Sequence, residues 1–427
     1  MKLLGRISLV ALLVSACFTK TIKLEFNEKN NFHTVPMILG SNNQEFDVQV
    51  DTKTSESWVP SKNTSLEVPK YDVDASSTGK ATNKTFELDD EGGNVKGKAT
   101  FDSMEVGNFK LDKMGFVQVN EFEYGFSDFS QGKLGLGFRH EHGDAYNWIK
   151  MLKQSGQIVH EIFTIDPDNH ELVIGDFPDD YKTEEYSTCN LTFVDDLDDK
   201  FRSGWICELT HIFCGVDTEE RSLETALSFD SRVMFDSAYD YINIPYRHLK
   251  EFREKFMEKI FEDSCLEIKV KNDVFYICDD DEHISQSSIA FVVGGKGYVI
   301  RGEDLFRRFG EDKWEMLIRF HKENDDIFTF GLPFFNKFRL TFDYENQQVG
   351  FYGGETIDVS KEWEDYMSGD SASHRKRRNK NLMLLAVILG GFILLGAICI
   401  AIRACRKQGL EEGRRGDPSL VSNEQIH

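Results

Sequence analysis

Two short stretches of this sequence carry an aspartate in the same setting. In the first, Val48-Gln-Val leads into Asp51, Thr52 and Lys53 and runs on to Trp58-Val59-Pro60. In the second, Val233-Met-Phe leads into Asp236, Ser237 and Ala238 and runs on to Ile244-Pro245. An apolar run, an acid, a hydroxyl residue and a later proline recur in one order, which predicts two related lobes that each lend a carboxylate to a shared junction. Two carboxylates held a few ångströms apart do not both ionise readily, so one pKa rises and the pair shares a proton. The ionised member can then draw a proton from water while the protonated one supports a carbonyl oxygen under attack. No metal or organic cofactor is required for that chemistry, and the sequence offers no Cys-x-x-Cys or clustered histidines at ligand spacing.

The elements that must hold these residues read as mainly β. Short alternating segments such as 46–50, 86–88, 98–101 and 340–342 are broken by Gly, Asn and Asp, the pattern of half-buried strands. Helical periodicity is confined to residues 145–154, 247–260 and, more weakly, 304–309. The ends predict export and anchoring. Residues 1–16 form a basic start, an apolar run and small residues before a cut, as in a signal peptide. Residues 382–402 carry no charge, and a spanning helix needs about 20 apolar residues. Between them we expect an N-terminal lobe (17–196), a C-terminal lobe (197–357) and a polar stalk (358–381). A cytosolic tail (403–427) follows the helix. The middle then lies outside the cell or in the lumen of the secretory and endolysosomal system.

A net charge of −23 disfavours nucleic acid and anionic lipid heads as partners. Export makes disulfides the default for Cys189, Cys207, Cys214, Cys265 and Cys278, with one left over. The simplest local pairs are Cys265 with Cys278 and Cys207 with Cys214. Asn63, Asn83 and Asn190 begin Asn-x-Ser/Thr triplets, so each predicts a glycosylated surface loop.

The order of these motifs resembles the pepsin-like aspartic proteases across nearly the whole segment between signal and anchor. That family carries Asp-Thr/Ser-Gly in each lobe, and Trp58-Val59-Pro60-Ser61 follows the first aspartate in register. Residues 71–78 resemble its Ser-Ser-Thr stretch, and Gly132-Lys-Leu-Gly135-Leu136-Gly137 resembles its Gly-Ile-Leu-Gly-Leu segment. Gly331-Leu-Pro-Phe334-Phe335, Phe342-Asp343 and Val349-Gly350-Phe351 match the closing strands.

The resemblance implies a mostly β, bilobal fold with a central cleft, and a membrane-anchored endopeptidase that hydrolyses extended peptides or proteins. Asp51 and Asp236 would be its dyad, with Thr52 and Ser237 as hydroxyls bracing the two loops. Several positions depart from the family. Lys53 and Ala238 stand where each lobe has Gly, Tyr239 replaces a small hydroxyl residue, Asp90 falls where the flap carries Tyr, and Glu91 where it carries Gly. These departures motivate an alternative, a pepsin-fold domain that binds a peptide or protein without cutting it.

Overall fold

The computed structural model describes residues 20–357, apart from 28–31, 91–92, 123–130, 139–142, 178–185, 193–203, 217–224, 280, 311 and 323–326. The expected signal peptide, stalk, spanning helix and tail therefore lie outside the described residues. Among those described, no helix is long and apolar enough to cross a membrane.

The alternating segments form the predicted strands. Residues 46–50 lie in Gln44–Asp51, 86–88 in Lys80–Asp90, 98–101 in Gly93–Val106 and 340–342 in Arg339–Asp343. In Phe109–Phe122 the buried Phe109 and Leu111 alternate with the exposed Lys110 and Asp112, so one face joins the core and the other meets water. Among the described residues the strands make three sheets, of eight, twelve and six strands. The eight-stranded sheet is built from the first half of the chain and the twelve-stranded one from the second. In the six-stranded sheet the halves meet, with Ile162–Asp166 pairing Arg339–Asp343 and Tyr186–Asn190 pairing Gln348–Tyr352.

The sequence repeat is also a repeat of topology. In the first half, Gln44–Asp51 runs parallel to Lys133–Gly135, which is antiparallel to Trp58–Pro60. In the second, Thr225–Phe235 runs parallel to Ile327–Phe330, which is antiparallel to Ile242–Pro245. Each aspartate thus ends one strand, or directly follows it, beside a strand brought back from far along the chain. Glycine lets that returning chain come close behind each loop. A Cβ on Gly137 would lie 2.7 Å from the Lys53 carbonyl oxygen, and one on Gly331 would lie 2.2 Å from that of Tyr239.

Two expectations change. The weak helical pattern at 304–309 is a helix only over Gly302–Leu305. Phe306–Arg308 is a strand paired with Trp314–Met316, where an Arg307–Glu315 ion pair at 2.8 Å and burial of Phe306 outweigh local propensity. The other two helical stretches appear as Trp148–Gln154 and as Leu249–Phe252 continuing into a π-helical Arg253–Phe261.

The pairing of Cys207 with Cys214 is also overturned. Both lie on the one strand Trp205–Val216, and an extended chain rising about 3.3 Å per residue holds them far beyond the ~7 Å reach of a disulfide. Cys207 instead pairs with Cys189, and Cys214 is a free, buried thiol whose pKa burial pushes up. Cys265 and Cys278 are bonded as expected, directly opposite in a hairpin.

Candidate active site

The loops after the two apolar strands are joined by a crossed set of hydrogen bonds. The Thr52 hydroxyl donates to the Phe235 carbonyl at 2.8 Å and accepts from the Ser237 amide at 3.0 Å. The Ser237 hydroxyl donates to the Val50 carbonyl at 2.7 Å and accepts from the Thr52 amide at 3.2 Å. All four bonds are buried, where an unmet polar group is costly. They fix the register of one loop on the other. Gln49 adds a fifth link, its side-chain amide donating to the Ala238 carbonyl at 3.2 Å.

Asp51 and Asp236 sit on either side of this brace, 1% and 5% exposed, yet their surroundings differ. Asp51 Oδ1 accepts from the amides of Lys53 at 2.7 Å and Thr54 at 3.0 Å. Its Oδ2 accepts from the Thr54 hydroxyl at 2.8 Å and faces the ammonium of Lys133 at 3.1 Å. Burial works to raise its pKa, but the Lys133 charge, the Thr54 amide and hydroxyl, and the Lys53 charge together hold it below the ordinary carboxylate value.

Asp236 accepts from the Ala238 amide at 3.0 Å. Burial and the negative charge of Asp51 push its pKa up to about 6, against the opposing pull of Lys53, Lys133 and that amide. One carboxylate is therefore held ionised while its neighbour keeps a proton into mildly acidic solution.

Both glycine replacements leave a loop amide in use. Lys53 and Ala238 each still present an amide to their aspartate. Neither is among the described residues with positive φ, so neither position demands the left-handed freedom of glycine. Lys53 does bring a charge that acts on both carboxylates. Tyr239 is half-buried, its ring 6.0 Å from that of Tyr241. Asp90 ends its strand opposite Gly93 at the tip of a hairpin, and Glu91 lies outside the described residues. Asn63, Asn83 and Asn190 are all exposed, but Asn83 and Asn190 lie in the strands Lys80–Asp90 and Tyr186–Asn190 and not in the expected loops.

Lys133 is the residue that sequence reasoning passed over. Its strand pairs with Gln49 on one side and Trp58 on the other, and its side chain, 5% exposed, reaches Asp51. The available sign was one cation inside the otherwise apolar or glycine run 132–137. A buried lysine needs an anion, and the matching anion lay far away in sequence.

A family model described as eukaryotic aspartyl protease matches residues 33–352. Plasmepsin IV of Plasmodium falciparum is 24% identical over 331 residues, which cover 73% of this chain and 67% of that protein. Vacuolar protease A of Aspergillus fumigatus is 36% identical over 107 residues, 23% of this chain and 27% of its own length. Procardosin-B of Cynara cardunculus is 31% identical over 166 residues, 35% of this chain and 32% of its own length. With these last two, the chain spans no more than about a third of the relative.

Proposed function

Because the chain belongs to the eukaryotic aspartyl protease family, we propose that it is a membrane-anchored aspartic endopeptidase acting on extended peptides in an acidic compartment. The observation that carries this reading is the asymmetric pair of buried carboxylates, one held ionised and one raised to about 6, across a hydrogen-bonded junction. Water between them would lose a proton to Asp51 as its oxygen attacks the peptide carbonyl carbon. The Asp236 proton would meet the developing oxyanion, and collapse of the diol would send a proton to the leaving nitrogen. Residues 17–196 and 197–357 would be the two lobes, behind a signal peptide at 1–16. A stalk at 358–381, a spanning helix at 382–402 and a cytosolic tail at 403–427 would follow. Relatives named as vacuolar and secreted proteases support a lumenal or extracellular site of action, and the three exposed sequons suit glycosylation there.

The test is cleavage of a broad peptide library between about pH 3 and pH 6 by the full chain, with Asp51→Asn and Asp236→Asn as controls. We expect turnover that rises as pH falls through about 6, and a loss in either variant of about 10²-fold or more. Turnover that survives both substitutions, or its absence at every pH, would remove the peptidase reading. In that second case the binding role gains, favoured by Lys53, whose ammonium charge favours ionisation of both carboxylates and so opposes the shared proton. A cleft of that kind would hold a peptide or protein segment without cutting it.

A further inference from the structure

We propose that Lys133 caps Asp51, its ammonium occupying the last acceptor position on the carboxylate that a nucleophilic water needs. This rests on reading Asp51 and Asp236 as a peptidase dyad. An ionised carboxylate offers about four lone-pair sites. The amides of Lys53 and Thr54 take two on Oδ1, and the Thr54 hydroxyl and Lys133 take two on Oδ2. The three donors from the loop are part of its fold. Lys133 alone comes from another strand, on a side chain of four methylenes, so it is the donor that can leave without unfolding the loop.

Its placement is built into the sheet. Asp51 pairs with Gly135 and Gln49 with Lys133 across the parallel ladder. Alternation sends Leu134 into the core and leaves Lys133 and Gln49 to the junction, where Gln49 reaches the Ala238 carbonyl. Strand pairing with Trp58 on the other side holds the lysine backbone in place. Both side chains of the ion pair are at least 95% buried by their exposures of 5% and 1%, so water competes poorly for either partner.

Lys133 and Lys53 act on both carboxylates and Asp51 acts on Asp236, and Glu56 in the Asp51 loop accepts from the Ser55 hydroxyl at 2.7 Å. With Lys133 in place, Asp51 is ionised but is a base without a free site. Substrate binding would have to draw the ammonium away, so Lys133 sets the threshold at which the dyad becomes competent. It is a positioning residue, acting through Asp51.

The experiment compares the full chain with Lys133→Met, Lys133→Gln and Lys133→Arg. Calorimetry with a statine-containing peptide, whose hydroxyl takes the place of the attacking water, gives affinity from about pH 4 to pH 7, and peptide hydrolysis is followed alongside. Carbon-13 labelling of the aspartates, with Asp51→Asn for assignment, follows the Asp51 carboxyl. We expect both neutral variants to bind statine roughly tenfold tighter or more and to hydrolyse faster. Lys133→Arg should stay near the original, and the Asp51 carboxyl should titrate higher in the neutral variants only. Statine affinity and Asp51 titration unchanged in a neutral variant that melts cooperatively would overturn the proposal. A raised Asp51 titration with no statine binding or hydrolysis by any protein would keep the cap and sink the peptidase reading instead.

Discussion

The Asp51 and Asp236 loops share a motif, a topology and a set of crossed hydrogen bonds, but they do not share an electrostatic environment. Asp51 gathers two amides, a hydroxyl and a buried ammonium. Asp236 has the Ala238 amide and faces the charge of its twin. The repeat supplies two similar carboxylates; Lys133, outside the motif, does most to hold Asp51 as an anion, and burial beside that anion makes Asp236 the acid. The strand that returns behind the first loop carries Lys133, whereas the equivalent strand Ile327–Phe330 is apolar but for Thr329. The asymmetry is thus written in the supporting strand, which touches Asp51 directly through Lys133 yet lies far from it in sequence.

The largest effect should come from removing each charge in turn. Asp51→Asn leaves the Lys133 ammonium buried without its anion and should destabilise the protein by about 3–5 kcal/mol. Asp236→Asn removes a carboxylate that burial and Asp51 both disfavour, and should stabilise it by about 1–3 kcal/mol at neutral pH. Denaturant unfolding of the two variants reads the contrast, and equal shifts of one sign would break it. The pH dependence has matching signs. Asp236 keeps its proton in the fold where the unfolded chain has lost it, so its contribution falls between 3.8 and about 6 and is flat above that. The stabilisation from Asp51, whose pKa is lowered, is lost instead as pH drops below 3.8.

Where the loops are alike, substitutions should cost alike. Thr52→Val and Ser237→Ala each remove a buried hydroxyl that donates once and accepts once, and each should lose about 1–3 kcal/mol. A marked difference between them in thermal or denaturant unfolding would show that the brace is less symmetric than its bond pattern. The smallest change is expected at Ala238, whose φ is not positive. Ala238→Gly should cost up to about 1 kcal/mol through the unfolded chain, and a gain in stability would reveal strain at that position.

Much of this was legible in the sequence because it was local. The alternating strands, the paired Asp-hydroxyl motifs and the hairpin disulfide Cys265–Cys278 each depend on residues close together or on a repeated pattern. The misreadings were non-local. Cys207 lies nearer in sequence to Cys214 than to Cys189, but a shared strand keeps the near pair apart and folding brings the far pair together. Phe306 and Arg307 have helical spacing, yet a partner strand supplies Met316 and Glu315 opposite them. Lys53, in the place of a family glycine, keeps its amide on Asp51 while its charge acts on both carboxylates. The cation that matters most to Asp51 is Lys133, in a run otherwise made of glycine and leucine.

Neutron diffraction from crystals grown below about pH 6 would locate the proton itself. We expect deuterium on Asp236, none on Asp51, and a fully deuterated Lys133 ammonium directed at Asp51 Oδ2. Deuterium on Asp51, or two bare carboxylates at that pH, would contradict this.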